Sequence, residues 1–132
     1  MQALDLSIRH LDDVVMARQQ AKQFAARLPF SVEDLARIEL AVAELASNLV
    51  KHARGGKLLI SRLEKDGRRG VAIVASDKGP GIANLGDAMR DGFSTAGSFG
   101  DGLGAVREHV DRFDIWSEPG VGTRVEVEKW LT

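Results

Sequence analysis

Two apolar runs joined by Asp66-Gly67 constrain this chain more than any other feature. Asp-Gly between strand-like segments supplies the two positive-φ positions of a tight hairpin turn, so residues 57–64 and 70–76 should pair antiparallel. Ahead of them, Leu4, Leu6 and Ile8 alternate with Asp5, Ser7 and Arg9, the period of a half-buried strand. Val14, Ala17, Ala21, Phe24 and Leu28 then recur in steps of three and four, predicting an amphipathic helix stopped near Pro29. Ser31 with Asp34 has the form of a capping box opening a second helix, whose core stripe is Leu35, Ile38, Val42, Leu45 and Leu49 and which Gly55-Gly56 should end. Beyond the hairpin lies a glycine-dense stretch, 77–100, with one short helical candidate at 85–90. A third helix is predicted over 103–112, and strands over 113–117 and 123–130 around a Glu-Pro-Gly-Val-Gly turn. This order predicts an α+β fold: a two-layer sandwich in which helices cover one face of a mixed β-sheet.

Composition narrows the function. The 132 residues fit a single domain (1–132) with one core. Eighteen basic against 19 acidic residues give a net charge of −1, with no cationic surplus for nucleic acid or an anionic membrane. Absence of cysteine removes disulfides, thiolate catalysis and Cys-ligated metal. No leader pattern and no run of membrane-spanning length is seen, so a cytoplasmic protein is expected.

Within the second helix, Glu44, Asn48 and His52 recur every four residues and form one ridge. At 100° per residue this ridge lies about 90° from the core stripe, where a cleft floor would be. An asparagine oxygen suits Mg²⁺ beside phosphate oxygens. A glutamate one turn earlier can orient or deprotonate a hydroxyl. His52 can steady a phosphate or cap the helix end. The same spacing arises on any amphipathic helix with a solvated polar flank.

Asp77 ends an apolar strand and precedes Gly79 and Gly81. A carboxylate there can accept from the exocyclic amine of adenine, with the base lying against glycine backbone; it can equally close an Asx turn. Gly97, Ser98, Gly100, Gly102, Leu103 and Gly104 run straight into the third helix, where backbone N–H groups can cradle an anion; a flexible loop capped by Asp101 reads equally well. The segment lacks the strand of a dinucleotide fingerprint and the Gly-Lys-Ser/Thr ending of a P-loop.

Taken together, Glu44-x3-Asn48-x3-His52-Ala53, Asp77-x-Gly79-x-Gly81-Ile82 and Gly100-x-Gly102-Leu103-Gly104 resemble the N box and two glycine boxes of the GHKL (Bergerat-fold) ATPases, and Gly122-Thr123 resembles the turn that places a threonine near adenine. The resemblance covers nearly the whole chain. Its length and the run Asp-Gly-Phe-Ser-Thr-Ala-Gly at 91–97 are similar to bacterial switch-protein serine kinases and anti-sigma factors, most of all the stress-response kinase that phosphorylates STAS-domain proteins.

The resemblance implies ATP and Mg²⁺ as cofactors, Glu44 as catalytic base and Asn48 as Mg²⁺ ligand. Asp77 would bind the adenine amine, and Gly79, Gly81, Ile82 and Thr123 would shape its pocket. Residues 97–104 would form lid and phosphate cradle, with Lys51 and His52 adding phosphate contacts. Asp101 is unusual there, since a carboxylate beside polyphosphate is repulsive. Three functions compete: a serine/threonine kinase acting on a STAS-domain partner, an ATP-binding anti-sigma factor or phosphatase-activating module, and a detached histidine-kinase catalytic domain. The last lacks a preceding helix pair with a phosphoacceptor. A sigma factor or PP2C-type phosphatase would be a further partner. Trp116 and Trp130 suit a core or a homodimer interface equally.

Overall fold

The computed structural model describes residues 3–81 and 102–132. In chain order the elements are β1 (Ala3–Ile8), α1 (Leu11–Ala25), α2 (Val32–Ala53), β2 (Gly56–Lys65), β3 (Arg68–Asp77), α3 (Leu103–His109), β4 (Arg112–Glu118) and β5 (Gly122–Trp130). The Asp66-Gly67 turn has both residues at positive φ, 55° and 77°, and β2 pairs with β3 from Lys65↔Arg68 back to Lys57↔Ser76.

The strands form one sheet in the order β1-β2-β3-β5-β4. Two layers and an α+β class are as predicted, but the sheet is not mixed: all four ladders are antiparallel. Two antiparallel helices, not one, link β1 to β2, so the chain returns in the opposite direction. β3 and β4 do run parallel across their helical connection, yet β5 lies between them and pairs antiparallel with both.

Strand alternation sends Leu58, Ile60, Val71, Ile73, Ala75, Val125 and Val127 inward, where they bury against Ile38, Val42, Leu45 and Leu49 of α2. Leu59 and Trp116, of opposite parity, stand exposed on the uncovered face. The Ser31 hydroxyl accepts the Asp34 N–H at 3.1 Å, as the capping pattern requires. At the other end the chain turns at Arg54 (φ 59°), one residue before the expected glycines, and the Gly55 N–H closes on the Leu49 carbonyl at 2.7 Å. Gly55 and Gly56 are needed just beyond: a Cβ on Gly56 would sit 2.8 Å from Leu49 Cδ2 and against the Ser76 carbonyl.

The third helix is shorter than the predicted 103–112. Asp111 is held at the sheet, its carboxylate accepting the Trp130 N–H at 2.7 Å and its own N–H donating to the Glu128 carbonyl at 2.9 Å. Arg112 therefore starts β4. The predicted helix at 85–90 lies outside the described residues. Lys129 shares the inward parity of Val125 and Val127, and its Nζ lies 3.4 Å from Asp34 and 3.3 Å from Asp111. Asp34 also pairs with Arg37 at 2.8 Å. This cluster, buried at Asp34 and Lys129 and open to solvent at Arg37 and Asp111, fastens the first turn of α2 to β5.

Candidate functional site

With its first turn fastened, α2 presents the Glu44, Asn48 and His52 ridge along one side, all three half-buried. That is the border position its angular offset predicts. A pocket opens beneath the ridge, walled by Leu45, Asn48 and Leu49 of α2, Ala75 and Asp77 of β3, Thr123 and Val125 of β5, and Leu103 of α3. The β3–β5 register places Asp77 opposite Thr123, so the two polar walls are fixed by the ladder. The pocket is narrow, with about 20 Å³ free, room for a water molecule. That is far less than an aromatic ring fills, and the wall at Leu103 belongs to a short helix that packs chiefly on α2.

Asp77 does both things its sequence allows. One carboxylate oxygen accepts the Gly79 N–H at 2.8 Å, an Asx turn, while the residue lines the pocket. Burial pushes its carboxyl above the ordinary value of 3.8, and the Gly79 and Thr123 backbone amides pull partly back. The Ser117 hydroxyl lies 3.1 Å from the Gly122 carbonyl and 2.8 Å from Thr123 Oγ1. If Ser117 donates to that carbonyl, Thr123 donates to Ser117 and keeps acceptor lone pairs for the pocket. Asp77 and Thr123 then form an acceptor pair suited to an amine.

Glycines bring the surrounding backbone in. A Cβ on Gly79 would lie 2.8 Å from Ala53 Cβ and 2.9 Å from its Cα, so the loop after β3 rests directly on the end of α2. Gly81 (φ 77°) lies against Glu118 and Pro119 of the β4–β5 turn. Gly102 (φ 84°) is the N-cap of α3, the place the sequence offered to Asp101, and it abuts Glu44: a Cβ there would meet Glu44 Oε2 and stand 2.8 Å from Cδ. Thus the first residue of the ridge and the second glycine box are in contact.

Asn48 Nδ2 is buried and has no hydrogen-bond partner among the described residues, an amide with capacity left for a ligand. Lys51 is exposed in the last turn of α2, and Gly104 is buried in α3. Ile82, Gly97, Ser98, Gly100 and Asp101 lie outside the described residues. Sequence reasoning missed Ser117, whose inward parity opposite Thr123 was the available signal. Among the described residues no group of three or more His, Cys, Asp or Glu could hold a metal by itself. No described helix is long and apolar enough to cross a membrane.

The histidine kinase-like ATPase domain model matches residues 9–129. The serine/threonine-protein kinase RsbT of Bacillus subtilis (strain 168) is 41% identical over 119 residues, covering 90% of each chain. The anti-sigma F factors of Caldanaerobacter subterraneus subsp. tengcongensis and Thermoanaerobacter sp. (strain X514) are 31% and 30% identical, each match covering 87% of this chain and 83% of the relative. With the pocket, the ridge and the glycine contacts in one place, and with a match spanning nearly its whole length, the chain belongs to the histidine kinase-like ATPase domain family.

Proposed function

We propose that this chain is an ATP- and Mg²⁺-dependent protein serine/threonine kinase whose substrate is a STAS-domain partner in a bacterial partner-switching pathway, acting as one cytoplasmic domain. The observation that carries this reading is the contact of Glu44 with Gly102 beside the pocket walled by Asn48, Asp77 and Thr123. The residues fit the cofactors: the unspent Asn48 Nδ2 is a donor suited to a phosphate oxygen, its amide oxygen is the atom type that Mg²⁺ takes, and Asp77 with Thr123 offers acceptors where an amine donor would be read. ATP would supply the phosphoryl group and Mg²⁺ would offset its charge.

Each residue then has a task. Asp77, one oxygen fixed by Gly79, accepts from the base amine, and Thr123 supports it. Asn48 would hold the metal through its amide oxygen. Glu44 would take the proton of the partner's hydroxyl as that oxygen bonds to the γ-phosphorus of ATP and the bond to ADP breaks. Gly102 leaves the space in which the Glu44 carboxylate sits. Lys51 and His52, at the end of α2, are the residues proposed to add phosphate contacts; Ile82, Gly97, Ser98, Gly100, Leu103 and Gly104 complete the proposed nucleotide-binding set.

Incubation with labelled ATP and a STAS-domain partner in Ser and Ser→Ala forms tests the proposal. Label should reach the Ser form alone, and Glu44→Ala should slow transfer by about 10²–10⁴-fold. Normal partner binding without transfer would instead support a nucleotide-binding anti-sigma factor, the reading favoured by the anti-sigma F relatives. Unimpaired transfer by Glu44→Ala would remove Glu44 as the base.

A further inference from the structure

Past the Gly79–Ala53 contact, at the same end of the sheet as the pocket, lies a cleft of about 450 Å³. Arg9, Arg54, Lys57 and Lys78 line it, all exposed. They come from four places: the β1–α1 turn, the C-cap of α2, the start of β2 and the end of β3. Among the described residues none of the four is within ion-pair distance of a carboxylate. Lys57 Nζ reaches the neutral Ser7 hydroxyl at 2.9 Å. Two acids are near: Asp13, whose carboxylate accepts the Arg9 and His10 N–H groups and feels the Arg9 charge, and Asp77, which lines the cleft while accepting the Gly79 N–H.

Four cations against one lining carboxylate, Asp77, are a local surplus that a chain of net charge −1 does not produce by overall composition. Arg54 adds an independent sign. It holds a left-handed backbone (φ 59°) at a helix end where glycine would cost less, and glycine stands next to it in the sequence. Such strain points to a use for the side chain. The cations come from four separate segments, and Ala53, Gly55 and Gly56 are the small residues of the lining. A length of chain bearing several carboxylates can meet cations from all four segments, which a single compact phosphate cannot.

We propose that this cleft docks an acidic, extended segment of the protein partner, holding it beside the nucleotide site. The inference rests on the kinase reading only for the partner being a protein. Its test therefore uses no nucleotide and no transfer.

A fluorescein-labelled oligoglutamate peptide is titrated with the intact chain and read by fluorescence anisotropy. Binding should saturate at low salt and weaken as the screening length falls below about 10 Å. Arg54→Glu combined with Lys78→Glu should weaken it by about tenfold or more. Lys65→Glu, at the far end of β2, should leave it unchanged. Arg54→Gly keeps the left-handed turn, so it should melt no lower than wild type and still lose affinity. No binding of oligoglutamate, equal binding of oligoglutamine, unchanged affinity in the charge-reversed variant, or tighter binding of inorganic tripolyphosphate would each overturn the proposal. If the peptide binds but no phosphoryl reaches a STAS-domain partner, the kinase reading fails and the docking cleft stands.

Discussion

Gly102→Ala tests whether the contact between the second glycine box and the ridge governs chemistry. The added Cβ would stand 2.8 Å from Glu44 Cδ and 3.2 Å from Cγ, with Oε2 closer still. Ordinary contact begins near 3.4 Å, so the carboxylate has to retreat by about 1 Å. A long flexible side chain can do this cheaply, and the collision alone should cost little folding energy. The backbone adds about 1 kcal/mol, because φ 84° suits glycine and not alanine. For a chain of this length that lowers Tm by roughly 3–6 °C.

Activity should suffer far more, since misplacing a catalytic group by about 1 Å costs roughly 10²-fold. The assay is single-turnover transfer from labelled ATP to the STAS-domain partner, at temperatures where the variant is folded by circular dichroism. A coupling test sharpens it: in the Gly102→Ala background, Glu44→Asp should cost much less than it does in wild type, because the alanine has already displaced the Glu44 carboxylate. Transfer at the wild-type rate by a folded Gly102→Ala chain would refute the reasoning, and so would strictly additive losses.

Further outcomes follow from the pocket and the ion cluster. Asp77→Asn keeps the acceptor for the Gly79 N–H but presents an amine to an amine, so ATP affinity measured by calorimetry should fall about ten- to a hundredfold. Its stability should move the other way. A carboxyl raised above 3.8 by burial stabilises the fold fully below that value, and the contribution is lost as pH rises through the folded-state value. At neutral pH the ionised group is a cost, and Asp77→Asn should melt at or above wild type; a clear fall in Tm would contradict this. Lys129→Met leaves Asp34 with Arg37 alone and Asp111 with solvent and the Trp130 N–H, at about 1–2 kcal/mol or roughly 3–8 °C in Tm. Adding Asp34→Asn should recover part of that loss, and no recovery would show that the cluster is not the cause.

What could be read from sequence was whatever depends on neighbours in the chain. Asp66-Gly67 sets its own turn, and the stripe Ile38, Val42, Leu45, Leu49 sets its own buried face. Glu44, Asn48 and His52 fall on the predicted border because helical angles are fixed by spacing alone. Long-range partners decided the rest. Arg112 left the helix because Asp111 is bound by the Trp130 N–H, a partner 19 residues away. The sheet lost its expected parallel pairing because β5, last in the chain, inserts beside β3. Lys129 has an inward parity that Val125 and Val127 announce, but its acids come from other elements. The basic cleft is invisible as a charge run, since positions 9, 54, 57 and 78 meet only when the strand ends gather. Asp77 was legible as two alternatives, and the structure combines them.

Helix α2 also has a metric consequence. Ala53 lies nine residue steps beyond Glu44, which at the rise of an α-helix is about 14 Å. One continuous helix thus separates the proposed base from the edge of the basic cleft, and the Lys129 cluster ties its first turn to β5. A partner anchored in the cleft must bring its hydroxyl back across this distance, the reach of roughly four extended residues. The helix would work as a ruler, selecting for serine or threonine set a fixed distance from an acidic patch, so the spacing of features on the partner becomes part of what this fold recognises.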